Sequence, residues 1–191
     1  MTIVLRGPLV EKASNNVVMI GALATAKGIH SNLGVNARVR WPNDVVFNDR
    51  KLAGVIVETT IRGNEFEYAL LGIGINTNFP TNLLKGVQDS TTLLEILGSS
   101  VDRERLICSI LTEMEYLKDL LLSAGSQTVL EVLERFECSR GKHVKVTVQD
   151  SEISGVFAGY DELSRVVILL SDGRSKKIDT SSVISAQYIN G

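Results

Sequence analysis

A turn built around the chain's only tryptophan places the strongest constraint on how this sequence folds. The run Arg-Trp-Pro-Asn-Asp at positions 40–44 contains that tryptophan and one of the three prolines. Residues 35–41 alternate between apolar and polar side chains, which is the period of a half-buried strand. Proline ends such a strand because it has no amide hydrogen to donate, and Asn and Asp side chains close turns by bonding backbone amides. We therefore predict a fixed turn at a strand end.

The residues around this turn predict a largely antiparallel sheet. Residues 45–47 and 52–60 have the pattern of a hairpin with a polar turn at 48–50, and residues 66–75 add a neighbouring strand. A short strand is also expected at residues 2–6. These strands should form one sheet.

Three stretches follow a helical spacing instead. The apolar residues of 15–29 predict a core helix, and those of 101–122 lie on one helical face, with Asp102 in the N-cap position. A shorter helix is predicted over residues 126–136, with Ser126 as its cap. We expect these helices to pack on the sheet.

From Gly141 onward the sequence pattern changes to short predicted strands separated by tight turns. The predicted strands are 144–148, 153–160, 166–170, 176–178 and 183–188. Asp172-Gly173 marks one hairpin, and five strands in so short a segment favour a small closed, SH3-like β-barrel. The predicted fold class is therefore α+β, with a first domain over residues 1–139 and a small β-barrel domain over residues 140–191.

Composition narrows the classes of function. The 20 Lys and Arg residues are dispersed among 22 Asp and Glu residues, so no basic patch for nucleic acid or an anionic membrane is expected. No apolar run approaches the roughly eighteen residues of a membrane span, and the prediction is a soluble cytoplasmic protein. The two cysteines, Cys108 and Cys138, lack metal-ligand spacing and are predicted to be buried thiols.

Lys51 is the main catalytic candidate in the sequence. It opens the run Lys-Leu-Ala-Gly at positions 51–54 directly after a turn, so its side chain can reach back to the strand end at positions 40–44. A lysine is a compact charge suited to meeting a carboxylate oxygen and a phosphate together. The alternative is a hairpin lysine that only solvates the sheet edge.

Glycines form the third motif, Gly-Ile-Gly-Ile-Asn at positions 72–76. Like Gly54, the two glycines lack side chains where strands normally carry them, which weakens a sheet unless a ligand must approach the backbone closely. The alternative is a β-bulge followed by a turn.

The order of these three motifs resembles the catalytic core of the biotin protein ligases. That family adenylates biotin with ATP and transfers it to a lysine of a biotin carboxyl carrier protein. The resemblance implies the mixed sheet of class II synthetases, a small C-terminal barrel, and ATP, biotin and Mg²⁺ as ligands. It assigns catalysis to Lys51, Asp44 and Arg40, where Asp44 orients Lys51 or binds Mg²⁺ and Arg40 replaces the family's usual lysine. The residues it assigns to ligand binding are Trp41, Asn43, Gly54, Gly72, Gly74 and Asn76, although Asn43 also suits a turn-shaping role.

The sequence lacks the Ser-Thr-Asn element and the glycine- and arginine-rich loop that biotin protein ligases carry before this region. Three expectations follow: a second chain supplies the loop, the chain is a non-catalytic biotin- or carrier-binding homologue, or it is a fragment. Lipoate and octanoate ligases share the fold and form a further alternative. A homodimer through a sheet edge is possible on this pattern, and DNA binding is not expected, because no helix-turn-helix precedes the core.

Overall fold

Two five-stranded antiparallel sheets, linked through helices, organise the chain. The computed structural model describes residues 1–7, 17–63, 65–84, 89–149 and 151–189. The first sheet contains β1 Thr2–Leu5, β2 Arg38–Arg40, β3 Asp44–Phe47, β4 Arg50–Arg62 and β5 Glu65–Ile75, in the order β1-β5-β4-β3-β2. The second sheet contains β6 His143–Val148, β7 Ser151–Tyr160, β8 Val166–Leu169, β9 Ser175–Ile178 and β10 Val183–Ile189, in the order β10-β6-β7-β8-β9.

The helices lie on one side of the first sheet, where Val17–Leu33 packs directly on the strands and Arg103–Ala124 packs on that helix. They are α1 Val17–Leu33, α2 Leu93–Leu97, α3 Arg103–Ala124 and α4 Ser126–Phe136, with 3₁₀ turns at Thr81–Leu83 and Thr180–Ser182. The combination confirms the predicted α+β class. Among the described residues, every helix is too short or too polar to span a membrane.

Glycines set the close approach of α1 to its neighbours. A Cβ at Gly21 would lie 2.9 Å from Leu71 Cδ1 on β5, and one at Gly28 would lie 2.8 Å from the Cα of Ile110 on α3. Neither position leaves room for a larger residue. The face of the first sheet that carries Leu71 is therefore sealed, and the opposite face is left for a site.

The predicted hairpin is confirmed, whereas the strand before the turn is shorter than expected. Asn48 and Asp49 have φ of 48° and 60°, which these two residue types tolerate better than most others, and together they join β3 to β4. Of residues 35–41, only Arg38–Arg40 form a strand, because β2 pairs along its length with the short β3 and on its other side forms a single bridge, between Val39 and Glu137. The strand prediction was right in place and wrong in length.

The helix predictions were correct except at two ends. Asp102 caps α3 by accepting from the amides of Glu104 and Arg105 at 3.0 and 3.1 Å. Ser126 does not cap α4: the N-cap is Gly125, which alone separates the two helices, so Ser126 is already helical. The predicted start of α1 at residue 15 lies outside the described residues, and α1 continues to Leu33.

The second sheet contains all five predicted strands. Its strand order and its 3₁₀ turn between β9 and β10 are compatible with a small barrel, although closure of the barrel stays a prediction. The proposed domain boundary at residues 139 and 140 falls in the link between α4 and β6. The expectation of two buried thiols was wrong for Cys108, which is exposed on α3, while Cys138 is half-buried.

Candidate functional site

One row of paired residues crosses four strands of the first sheet. Arg40 on β2 pairs with Asp44 on β3, Asp44 pairs with Gly54 on β4, and Gly54 pairs with Gly74 on β5. Residues that face each other in register lie on the same side of a sheet. The side chain of Val55, the next residue on β4, faces α1. The row therefore lies on the face opposite the helices.

Two cations converge on the Asp44 carboxylate. Arg40 Nη2 lies 2.9 Å from Asp44 Oδ2, and the Lys51 ammonium forms a salt bridge with Asp44 Oδ1. The side chains of Arg40 and Asp44 are 19% and 16% exposed, and that of Lys51 is 36% exposed. One carboxylate thus orients two cations and leaves the cluster with a net positive charge. Such a cluster attracts an anionic ligand.

A β-bulge turns Lys51 towards this cluster. Val45 pairs with Ala53, but Val46 pairs with Lys51, so Leu52 is an extra residue on β4. The extra residue breaks the strand's alternation: Leu52 and Ala53 are both buried, and Lys51 faces the open side with Gly54. The predicted meeting of Lys51 with the turn at positions 40–44 is confirmed by this geometry.

A segment that the sequence analysis did not single out holds the Lys51 backbone. The Lys51 amide donates to the Asp89 carbonyl at 2.7 Å, and the Thr91 amide donates to the Lys51 carbonyl at 2.9 Å. Asn76 Nδ2 donates to the carbonyls of Thr91 and Lys51 at 3.0 and 3.4 Å. Asn76 therefore ties β5 to the segment that fixes Lys51, a role not foreseen from its position in the glycine motif.

The signal for this segment was present in the sequence as a capping box. Thr92 accepts from the Glu95 amide at 3.1 Å and caps α2, matching the pattern of a threonine followed three positions later by a glutamate. Arg50 donates to the Ser90 carbonyl through Nε at 3.1 Å and pairs with Glu95 at 2.9 Å. These contacts anchor residues 89–95 against the start of β4.

Asn43 and Trp41 have clear structural partners. Asn43 Nδ2 donates to the Val55 carbonyl at 3.0 Å and shapes the turn, as one interpretation of the sequence expected. The indole of Trp41 is 1% exposed and packs 5.8 Å from the Phe157 ring of the second sheet. Its Nε1 donates to Thr180 Oγ1 at 3.2 Å. A ligand contact by either side chain remains a prediction.

The backbone is open at Gly74 and covered by a side chain at Gly72. A Cβ at Gly74 would meet only the Gly54 carbonyl, at 3.9 Å, so the backbone there is open. A Cβ at Gly72 would lie 2.9 Å from Ile56 Cγ1, so the Ile56 side chain covers that glycine. At Gly54 the Lys51 side chain covers the backbone, with Cε 3.3 Å from where a Cβ would lie, so Gly74 is the part of this row where a flat ligand group can lie against the backbone.

The cation cluster borders a cleft between the two sheets. This cleft of about 1010 Å³ is lined by Arg40, Asp44 and Lys51 on one side and by residues 183–188 of β10 on the other. Small-molecule sites are commonly concave and lie at such domain interfaces. The cation cluster of Arg40, Asp44 and Lys51 is therefore accessible to a ligand.

Ionisable groups near the junction of the sheets suit a structural role. Burial raises the pKa of Glu137, whose carboxylate accepts from the Arg140 amide at 3.0 Å. Burial, with the charge of Glu137, raises the pKa of the Cys138 thiol to about 11, so Cys138 is protonated at neutral pH and unsuited to act as a nucleophile. Within the described ranges, no group of three His, Cys, Asp or Glu side chains could hold a metal ion.

The first sheet is similar to that of known proteins. Residues 5–76 match the biotin/lipoate A/B protein ligase family. The bifunctional ligase/repressor BirA of Bacillus subtilis is 24% identical over 185 residues, covering 96% of this chain and 57% of that protein. The BirA of Escherichia coli is 30% identical over 136 residues, covering 71% of this chain and 42% of that protein. The chain thus spans about half the length of these relatives.

Solved structures show the same fold. The biotin protein ligase from Aquifex aeolicus in complex with biotin and ATP matches with a TM-score of 0.79 at 22% identity, covering 98% of this chain and 77% of that one. A biotin protein ligase-like protein of unknown function from Silicibacter sp. matches with a TM-score of 0.77 at 13% identity, covering 96% and 80% of the two chains. The chain therefore has the biotin protein ligase fold, and its residues 5–76 match the biotin/lipoate A/B protein ligase family.

Proposed function

We propose that this chain forms the catalytic core of a biotin protein ligase. The observation that carries the proposal is the pair of cations, Lys51 and Arg40, fixed by one carboxylate in the same row as the open backbone of Gly74. Joining a carboxylate to ATP brings two anions together, so fixed positive charge at the meeting point lowers the barrier.

The proposed reaction has two steps. In the first, a biotin carboxylate oxygen attacks the α-phosphorus of ATP, the bond to the β-phosphate oxygen breaks, and pyrophosphate leaves. In the second, a lysine amine of a carrier protein attacks the biotinyl carbonyl, loses a proton, and AMP leaves. Lys51 would stabilise the negative charge that develops on the non-bridging phosphate oxygens in the first step and on the carbonyl oxygen in the second.

The residues present fit ATP and biotin better than they fit a directly coordinated Mg²⁺. The cations suit phosphates, and the open backbone at Gly74 suits a flat ureido ring. Both Asp44 oxygens already face cations, Arg40 on one side and Lys51 on the other. We therefore favour the role in which Asp44 orients the two cations; Mg²⁺ bound to the phosphates would not need Asp44 as a ligand.

We further propose that the active assembly includes a glycine- and arginine-rich loop that closes over biotin and the phosphates. Such a loop, on the same or a second polypeptide, would keep water from the reactive anhydride. In the first sheet, β1 is an edge strand that pairs on one side with β5. Its outer edge can accept a further strand from that segment, from a carrier protein or from a second copy of this chain.

The test is biotin-dependent exchange of labelled pyrophosphate into ATP. It is run on the chain alone and after addition of source-cell extract depleted of this chain, with lipoate and octanoate as competing acids. Exchange with biotin supports the proposal, and exchange only with extract identifies a second required chain. Exchange with lipoate or octanoate instead of biotin would support a ligase of that class. No pyrophosphate exchange under any of these conditions, together with biotin binding measured by calorimetry, would support the non-catalytic homologue.

A further inference from the structure

Tyr188 reaches from the second sheet into the cation cluster of the first. Its hydroxyl donates to the Trp41 carbonyl at 2.7 Å, and the Arg40 Cζ lies 5.7 Å from the centre of its ring. Burial raises the pKa of this hydroxyl, so Tyr188 is protonated at neutral pH and available as a donor. One side chain on β10 therefore touches two consecutive residues beside Asp44.

The Arg40 guanidinium is held from three directions. It pairs with Asp44 at 2.9 Å, donates to the Asp49 carbonyl at 3.2 Å and lies over the Tyr188 ring. A planar guanidinium can combine directed hydrogen bonds with stacking on an aromatic face, whereas an ammonium is a point charge on a flexible stem. The Tyr188 ring therefore suits an arginine at position 40 better than it would suit a lysine.

The Trp41 backbone is held from both sides by residues of the C-terminal part of the chain. Its amide donates to Ser139 Oγ at 3.0 Å, and its carbonyl accepts from Tyr188. Trp41 lies between Arg40 and the turn that delivers Asp44. The position of the cation cluster therefore depends on contacts made by a separate sheet.

We infer that Tyr188 is a positioning residue for the cation cluster. It acts through Arg40 and the Trp41 peptide, which together hold Asp44 where its two oxygens serve both Arg40 and Lys51. The inference rests on the proposed function for its catalytic consequence, and on the geometry alone for its effect on Arg40. It implies that the second sheet is part of the working active site.

The first test is a double-mutant cycle on pyrophosphate exchange. Tyr188→Leu should lower kcat about tenfold, the effect of losing a partly buried cation–π contact and a hydrogen bond, with the KM for biotin unchanged. Tyr188→Phe keeps the ring and should recover most of kcat. In an Arg40→Ala background, Tyr188→Leu should change kcat by a smaller factor than in the parent protein, because only the hydrogen bond to the Trp41 carbonyl is left to lose.

A matched control is available on α3. Lys27 Nζ lies 5.3 Å from the centre of the Tyr116 ring, so Tyr116→Leu removes a cation–π contact of similar geometry from a surface outside the cleft. This variant should keep full exchange activity. Equal losses in Tyr116→Leu and Tyr188→Leu, or additive losses in the cycle, would assign Tyr188 a merely structural role.

The second test does not need activity. In the ¹⁵N spectrum of the arginine side chains, the Arg40 Nη–H signal, assigned through Arg40→Lys, should be protected from exchange in the parent protein and in Tyr188→Phe, because Nη1 and Nη2 donate to Asp49 and Asp44. It should lose that protection in Tyr188→Leu. An unchanged signal in Tyr188→Leu would overturn the inference. Absence of exchange activity in the parent protein would count against the proposed function, and the spectra would still decide the role of Tyr188.

Discussion

Lys51 runs across the bare backbone of Gly54 on its way to the cation cluster. A Cβ at position 54 would lie 3.3 Å from Lys51 Cε and 3.4 Å from its Nζ. These distances are at the limit of ordinary contact, so the absence of a side chain at Gly54 gives the lysine its path. The glycine of the Lys-Leu-Ala-Gly motif thus serves the lysine of the same motif.

Replacing this glycine should disturb Lys51 before it disturbs the fold. In Gly54→Val, the branched side chain would occupy the path of Lys51, and we expect exchange activity to fall at least tenfold, by loss of a positioned cation. Gly54 is only half-buried, so the melting temperature should change little. Glu58→Val, at an exposed position further along β4, is the matched control and should keep activity. Full activity in Gly54→Val would show that Lys51 does not need this path.

Lys51 itself can be tested by truncation. We expect Lys51→Ala to lower pyrophosphate exchange by about 10²–10³-fold, the typical effect of removing one preorganised charge from a transition state. Unfolding free energy should change by no more than about 1 kcal/mol, because partly exposed ion pairs contribute little and Asp44 keeps Arg40 as a partner. Denaturant titration and the exchange assay measure the two effects separately. Unimpaired exchange would remove Lys51 from the mechanism.

The kinetics of an Asn76 variant distinguish support of the Lys51 backbone from a direct contact with the nucleotide. Asn76→Ala removes the donor to the Thr91 and Lys51 carbonyls, which should loosen the Lys51 backbone and lower kcat several-fold at an unchanged KM for ATP. A direct contact with the nucleotide, as the family resemblance implies, would instead raise the KM for ATP. Initial rates at varied ATP concentration distinguish these outcomes. Asn78→Ala is the control, because Asn78 bonds Val101 away from Lys51.

Asp161 should set the acid stability of the second sheet. Its carboxylate is 4% exposed and accepts from the Arg165 amide at 2.9 Å and from Arg165 Nη2 at 2.7 Å. Burial acts to raise its pKa, but the hydrogen bonds from Arg165 and Lys177 outweigh it and lower the pKa from 3.8 to about 2. The folded pKa lies below the unfolded one, so the stabilisation is present above pH 4 and disappears as the pH falls towards 2.

We therefore expect Asp161→Asn to lower the unfolding free energy at pH 7 by about 1–3 kcal/mol, the effect of weakening buried charge-assisted hydrogen bonds. Asp172→Asn is the matched control, since Asp172 also pairs with an arginine in a tight turn but is exposed, and its effect should be small. The difference between Asp161→Asn and the parent protein, measured by denaturant titration, should shrink between pH 4 and pH 2. A difference independent of pH would contradict this account.

Much of the fold could be predicted from the sequence because it depends on residues that are neighbours along the chain. The hairpin from β3 to β4 follows from Asn48 and Asp49, and the start of α3 follows from Asp102. The bulge at Leu52 was not readable, because it depends on how β4 pairs with β3 and on which side chains the core accepts. The same holds for the short β2, whose length is set by its partner.

Some features of the candidate site were likewise predicted from the sequence, and others were not. Three motifs along the chain identified Lys51, Asp44 and the glycines, since residue type and spacing carry that information. The segment at residues 89–91 was overlooked, because its contacts with Lys51 use backbone groups that every residue possesses, and the nearby capping box of Thr92 and Glu95 predicts a helix start rather than a contact with Lys51.

Residue type and spacing were sufficient to predict the strands, three of the four described helices, the turn at positions 40–44 and the residues that can carry charge to it. Folding is needed to bring Arg40, Asp44, Gly54 and Gly74 into one row and to place the Tyr188 ring of the second sheet against Arg40. Periodicity and turn chemistry act between neighbours along the chain, so a sequence displays them directly. Strand register and sheet packing are chosen by the combined burial and hydrogen bonding of residues far apart in sequence, and they exist only once the chain has folded.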